Sequence, residues 1–420
     1  MVADLRAPIR ANAVNPGQKV GKCRFCNRIR QRFGRWFALA QYGFPFAIGF
    51  PASAVARFRA GGRARYAHRS AGARLLIYIA MTAGWPVGAF LTAHRTIARM
   101  RTRGQRPCGG RVLLDMYWLA LRYSIPPLEY ALYRLNEPDR RRNVHDYVYW
   151  NDLPALAALV ARAGADDRDV RDKSRFAEIC TANGFPHVQK LASFQGGRQI
   201  HPASPFMPDA PALWVKPLGL DRRAAGCKWV KDGDSYRDAN GRRSASGLLA
   251  EQLRQQDCIV QRFVENHHAV ARISNGALAV LRIVTGMNEH GHAEFVTSLI
   301  ALPQGRSETT IGGINCAIAR DTGRITHALK PIEDPIAQHP DTGAPIVGLV
   351  LPFWHESVAL VLRAHASAFP RFPFLGWDVA LTEDGPLLLE TNAGWGAIFH
   401  QMLDGPIGHT AFSRLVGQYV

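Results

Sequence analysis

The sequence predicts an α+β protein preceded by a basic, apolar extension, and three observations carry that prediction. Charge is partitioned: residues 1–111 hold 21 Lys/Arg and one acid, Asp4, whereas the remaining 309 residues hold 31 bases and 32 acids. Helix start and stop signals dominate from Arg111 to about residue 170. Beyond that point, short β-branched and aromatic runs alternate with turn residues and a few amphipathic helices, the texture of a mainly antiparallel sheet with helices packed on it. With 420 residues the chain can form two or three units. It divides into an extension (1–110), a helical lead-in (111–170), an α+β domain (171–403) and a tail (404–420).

The extension carries two uncharged stretches, WFALAQYGFPFAIGFPASAVA between Arg35 and Arg57 and LLIYIAMTAGWPVGAFLTA between Arg74 and His94. Each has about the 20 residues that cross a bilayer. Gly43, Pro45, Gly49 and Pro51 interrupt the first, and Gly84-Trp85-Pro86 breaks the second. Arginines flank both on every side, from Arg28 to Arg35, from Arg57 to Arg74 and from Arg95 to Arg103. A spanning protein biases its cations to one side. The pattern therefore predicts in-plane or re-entrant attachment of residues 1–110 to an anionic membrane, with Trp36, Tyr42, Tyr78 and Trp85 at the interface. A pair of buried helices would share this composition. Nucleic acid is disfavoured, because arginines flanking long apolar runs match no phosphate-binding module.

Seven cysteines in a long chain with no secretory signal argue for a reducing compartment. The expected location is cytoplasmic, peripheral on the inner face of the cell membrane. Cys23 and Cys26 form one C-x-x-C without the second ligand pair of a structural zinc site, and are read as free thiols.

In the lead-in, VLLDMYWLALRY has helical apolar spacing, SIPPLEYALYRL offers a serine cap and first-turn prolines, and NDLPALAALVARAG has Asn151/Asp152 as cap and Gly164 as stop. The α+β domain then supplies strands ALWVKP, CIVQRFV, HAVARIS, ALAVLRIVTG, AEFVTSLIAL, NCAIARD, RITHAL and GWDVALT, with Asn275-Gly276 expected to close a hairpin. Its helices are DKSRFAEICTANG, ASGLLAEQLRQQ and HESVALVLRAHASAF.

The chemistry concentrates in GWDVALTEDGPLLLETNAG, residues 376–394. A hairpin turning about Glu383-Asp384-Gly385 places Asp378 opposite Glu390, and strand alternation puts Asn392 on the face of Glu390. Three oxygen donors then converge, a hard set suited to Mg²⁺. Acids at the ends of a hairpin also commonly just face solvent. Upstream, Lys216 closes the strand ALWVK before a loop bounded by Gly219 and Gly226, which suits phosphate binding. Lys173 opens a helix after Asp172, another anion-favouring position. Either lysine alone would be an ordinary surface charge. The strand CIVQRFVENHH offers main chain from Gln261 to Val264 for a purine edge and Glu265 for ribose hydroxyls. The order of these features carries the weight.

This order resembles the ATP-grasp superfamily, and GWDVALTEDGPLLLETNAG, RIVTG and MYWLALRYSIPPLEYALYRL resemble its sugar-transfer-associated family over about residues 111–403. The resemblance implies an ATP-grasp fold, two α+β subdomains holding ATP between them. It implies that Lys173 and Lys216 contact phosphates, that Gln261, Arg262, Phe263 and Val264 hold adenine through the main chain, and that Glu265 binds ribose. Asp378, Glu390 and Asn392 would hold one or two Mg²⁺ ions, with Mn²⁺ able to substitute, and Arg282 with Lys216 would serve catalysis. Two departures stand out: Arg222 and Arg223 replace small residues in the loop after Lys216, and Arg262 stands where many relatives carry glutamate.

The implied activity is a carboxylate-amine ligase that activates a small-molecule acid as its acylphosphate for attack by an amine, in cell-envelope or exopolysaccharide metabolism. A small-molecule kinase and a non-catalytic, membrane-associated nucleotide-binding module are the competing expectations.

Overall fold

The computed structural model describes residues 43–48, 53–63, 70–103, 109–218, 226–238 and 241–420. Cys23, Cys26, Trp36, Tyr42, Arg222 and Arg223 lie outside the described residues. Gln189–Phe263 form a smaller unit, and the described parts of Phe37–Val188 and Val264–Val420 form a larger one.

The larger unit opens with helices α1 (Ala54–Arg63), α2 (Ala71–Thr102), α3 (Gly109–Tyr123), α4 (Pro127–Leu132), α5 (Pro138–Arg142), α6 (Leu153–Arg162), α7 (Arg168–Arg171) and α8 (Lys173–Ala182). The expected break at Gly84-Trp85-Pro86 does not occur, and α2 continues through Pro86 for 32 residues. Packing overrides the proline penalty. The Trp85 indole donates to Ala120 O (2.9 Å), and Met81, Trp85 and Ala89 are buried around Ala120 of α3.

Two expected caps are spent elsewhere. Ser124 takes a positive φ of 59° and its hydroxyl accepts from Phe44 N (2.8 Å), so α4 starts without a side-chain cap. The Asp152 carboxylate accepts instead from Arg59 Nε (2.8 Å) and Tyr149 N (2.9 Å). Beside it lies Glu129, fully buried, accepting from Trp150 N (2.8 Å) and Tyr133 Oη (3.2 Å). Burial pushes the Glu129 carboxyl up to about 8, so it is protonated at neutral pH.

The smaller unit is one antiparallel sheet of β1 (Lys190–Gln195), β2 (Arg198–His201), β3 (Ala212–Pro217), β4 (Cys227–Asp232), β5 (Ser235–Asp238), β6 (Arg243–Ala245) and β7 (Cys258–Arg262), with α9 (Ser246–Arg254) between the last two. Strand order is β2-β1-β7-β3-β4-β5-β6. Alternation along these strands turns Ala192, Phe194, Leu213, Val215, Trp229 and Val260 into a core with Leu249 and Leu253 of α9.

The chain re-enters the larger unit with α10 (His268–Ala271), where a strand was expected from HAVARIS. His267 Nδ1 accepts from Ala269 N (3.1 Å) and starts a helical turn that buries Val270 and Ile273. Asn275-Gly276 therefore turns between α10 and the next strand rather than between two strands. The Asn275 amide donates to Gly305 O (2.7 Å) and Ser307 O (3.0 Å).

There follow β8 (Val280–Met287), β9 (Ala293–Leu302), β10 (Ile314–Ile318), β11 (Ile325–Leu329), α11 (Trp354–Ala368), β12 (Phe374–Thr382), β13 (Gly385–Asn392), α12 (Ile398–Asp404) and α13 (Ala411–Gly417). The six strands form one sheet in the order β11-β10-β9-β8-β12-β13. One face packs Leu281, Ile283, Trp377 and Val379 against α8 and α11. On the other, Leu299, Ala301 and Ala317 meet residues of α2, α3, α4 and α12, and Val284 and Phe374 meet residues of α1, α6 and α13. Phe412, Leu415 and Val416, in the segment expected as a tail, are buried there. The fold is α+β.

Candidate active site

The strands β12 and β13 pair Asp378 with Glu390 and Gly376 with Asn392. They reach this register by a different route from the expected three-residue turn. Thr382 pairs with Gly385 across Glu383-Asp384, and Gly385 takes a φ of +117° that a side chain would strain. From Thr382 to Val379 the pairing would send Glu390 toward the Trp377 side. Between Asp378 and Val379 the register shifts, and Leu389 is the extra residue on β13. This bulge reverses the in-out parity of the residues beyond it. Leu388 and Thr391 are buried, while Glu390 is half-buried and Asn392 exposed.

On the other side of β12, Asp378 pairs with Arg282 of β8. Directly opposed residues share a sheet face, so Arg282, Asp378 and Glu390 form one row across three strands, with Asn392 two residues further along β13. Arg282 Nε lies 3.3 Å from Asp378 Oδ1 and Nη2 3.4 Å from Oδ2, a loose ion pair. Arg282 Nε is itself buried and makes no well-formed hydrogen bond among the described residues, while the side chain as a whole is 41% exposed.

Buried groups missed by sequence reasoning hold this row from both sides. Beneath it, Trp377 Nε1 donates to Thr285 Oγ1 (2.9 Å), Thr285 bonds His365 Nδ1 (2.7 Å), and His365 Nε2 bonds Phe372 O (2.9 Å). Burial drops the His365 imidazole to about 4, so it stays neutral in this relay. On the row's own face, His400 of α12 is buried with Nδ1 3.4 Å from Thr297 Oγ1, and burial, then the Arg282 charge, lowers it to about 3. A cationic His400 would compete with Arg282 for anions; a neutral one does not. Trp395 covers Gly376 so closely that a Cβ there would sit 2.5 Å from the Trp395 Cβ.

Lys173 is the first residue of α8, but the first-turn amides there are taken: Asp172 Oδ1 accepts from Ser174 N (2.8 Å) and Arg175 N (3.3 Å). Glu265 is exposed beyond Val264. His267, His268 and Glu383 also come together, with His268 N donating to Glu383 Oε1 (2.6 Å). The His267 Nδ1 lone pair is already engaged as the α10 cap. A ring ligating metal through Nε2 would need a proton at Nδ1, so this trio is a clasp on the β12–β13 turn.

Within the smaller unit, Lys216 of β3 pairs with Ile259 of β7, and Gln261 of β7 is buried between Lys190 of β1 and Trp214 of β3. Trp214 pairs in turn with Lys228, whose Nζ stands 3.7 Å over the Phe263 ring. Gly226 packs under Trp214, where a Cβ would lie 2.6 Å from the indole. The exposed Arg262 lies beside Gln189 (Nε to Oε1, 3.3 Å). Main-chain donors of the expected adenine segment are partly consumed. Arg262 N donates to Gln189 O (3.1 Å) and Phe263 N to Ala212 O (3.1 Å), whereas the Val264 N–H meets no acceptor among the described residues.

A profile of the family described as sugar-transfer associated ATP-grasp matches residues 164–414, the span that contains all of these groups. The chain belongs to the sugar-transfer associated ATP-grasp family. Its α+β architecture is accordingly the ATP-grasp fold, with α1–α6 preceding the matched span. No curated protein matches the chain. Among solved structures it is similar to L-amino acid ligase from Bacillus licheniformis, at 14% identity and a TM-score of 0.33 over 59% of this chain and 47% of that one. It is also similar to D-alanine–D-alanine ligase from Bacillus anthracis complexed with ATP, at 11% identity and a TM-score of 0.29 over 60% of this chain and 69% of that one. A third similar structure is biotin carboxylase from Campylobacter jejuni in a β-γ-ATP complex, at 10% identity and a TM-score of 0.34 over 60% of this chain and 47% of that one. The chain spans about half the length of the first of these, 47%.

Proposed function

We propose that this family member is a cytoplasmic, ATP- and Mg²⁺-dependent ligase that joins a small-molecule carboxylate to an amine, on a cell-envelope or polysaccharide-related substrate. One observation carries the reading: Arg282, Asp378 and Glu390 stand in a single cross-strand row with Asn392 on the same face. Two carboxylates and an amide oxygen are hard donors and fit Mg²⁺, which takes one or two carboxylates and fills its remaining positions with water and phosphate oxygens. Asp378, Glu390 and Asn392 would hold it, as one ion or two, with Mn²⁺ able to serve. When bound, the ion neutralises charge on the nucleotide's phosphates.

In the first half-reaction a carboxylate oxygen of the acid attacks the γ-phosphorus, and the bond to ADP breaks with its electron pair leaving on ADP. The amine nitrogen then attacks the acyl carbon, loses a proton and expels inorganic phosphate. This chain's part is charge and position. The partly exposed guanidinium of Arg282 suits the transferring phosphoryl oxygens, and its loose pairing with Asp378 keeps it oriented without quenching its charge. Lys216 and Lys173 supply cations for the phosphates. The Val264 N–H supports main-chain recognition of adenine, and Glu265 recognition of ribose.

The test is to incubate the purified chain with ATP, Mg²⁺ and pooled acids and amines. Release of both ADP and phosphate only when acid and amine are present supports a ligase. ADP without phosphate would make it a kinase, and release of neither would make it a binding module.

A further inference from the structure

Helix α2 is apolar on two opposite sides. One stripe, including Met81, Trp85, Ala89, Ala93 and Ile97, is buried. The other repeats at helical spacing as Leu76, Ile79, Ala83, Val87, Phe90 and Leu91, and it is exposed: Leu76 by 69%, Val87 by 60% and Ile79 by 57%. Phe90 touches the Tyr117 ring (5.7 Å between centroids), so the stripe continues onto α3, where Leu114 and Trp118 are exposed. A contiguous apolar surface of this kind marks an interaction site.

Charge selects the occupant. Exposed Arg74 stands at one end of the stripe and exposed Arg99 and Arg101 at the other, and no acid occurs between Asp4 and Asp115. We propose that this face of α2 and α3 seats on an anionic lipid leaflet, with α2 lying in the membrane plane. A second copy of the chain would set arginine against arginine across the apolar contact.

Length and composition would also allow α2 to cross a bilayer. Its attachments oppose that. Trp85, mid-stretch, is hydrogen bonded to Ala120 of α3 (2.9 Å), and α3 carries Asp115 paired with Arg141 (2.8 Å). A crossing α2 would draw those charges toward hydrocarbon, where ionised side chains are costly. In the plane of the leaflet the apolar stripe is buried while arginines at both ends stay among headgroups.

The experiment is flotation of the full chain with vesicles of phosphatidylcholine alone or mixed with phosphatidylglycerol. Expected are binding to the mixed vesicles, weakening as salt rises, and a loss of about tenfold or more in Leu76→Ser/Ile79→Ser/Val87→Ser. Arg99→Gln/Arg101→Gln, which removes only charge, is expected to weaken binding to the anionic vesicles alone. Three results would overturn the proposal: no flotation at low salt, flotation unchanged in both variants, or a dimer in sedimentation that the serine variant splits. Circular dichroism checks the fold, and the arginine variant decides if the serine variant is misfolded. ATP turnover is assayed separately, so failure of the ligase reading leaves the flotation result standing.

Discussion

At the scale of single residues, the proposed site turns on the loose pairing of Arg282 with Asp378. The Arg282 Nε and Nη2 reach Asp378 only at 3.3–3.4 Å, a loose contact that suits the proposed roles of Asp378 toward a cation and Arg282 toward an anion. Asp378→Asn and Glu390→Gln are each expected to lower turnover about 100-fold and to weaken magnesium-nucleotide affinity measured by calorimetry. Arg282→Gln is expected to lower turnover comparably while changing that affinity far less, because its charge acts on the transferring group. That Asp378, Glu390 and Asn392 share one face was legible, because a hairpin turning about Glu383-Asp384-Gly385 sets Asp378 against Glu390. His400, Thr285 and Lys228 were not, since a lone histidine, threonine or lysine reveals its partner only once strands are paired.

At the scale of elements, the register of one hairpin decides which face Glu390 and Asn392 share with Asp378. Three consecutive leucines, Leu387 to Leu389, break the in-out alternation of a strand, and that broken alternation is the visible signature of the bulge. A three-residue turn also predicts the opposition of Asp378 and Glu390, whereas the fold reaches it with a tighter turn and an extra residue. Deleting Leu389 is therefore expected to turn Glu390 and Asn392 toward Trp377, abolishing turnover even where the chain stays folded, as checked by near-ultraviolet circular dichroism and ADP release.

The strand beneath is equally constrained. Thr285→Val strips the partners from Trp377 Nε1 and His365 Nδ1, and is expected to cost about 2–6 kcal/mol in urea unfolding, from two groups at about 1–3 kcal/mol each. HAVARIS misleads because its alternation fits a strand, and only the capping lone pair of His267 shows why it coils.

At the scale of the whole molecule, stability is tied to pH through Glu129. Its carboxyl keeps its proton up to about 8 in the fold, against an ordinary value of 4.5. Between those values the unfolded chain binds fewer protons than the folded one, so stability falls as pH rises through the window and levels above it. Urea midpoints at about pH 5 and pH 8 should show this decline, and Glu129→Gln should flatten it. The step from a basic leader to a neutral remainder was plain in the composition. The division at Gln189 and Phe263 was not, because it depends on which strands pair, and no shift in composition marks it.

That division has a practical corollary in the bond from Arg262 N to Gln189 O, 3.1 Å long, which ties the entry of the smaller unit to its exit. A segment whose two termini are stitched together, and which owns a separate core around Leu213 and Leu253, is a cassette. It should be removable behind a short linker or exchangeable with that of a relative, so that the lysine-bearing half and the carboxylate-bearing half can be titrated with nucleotide apart from each other.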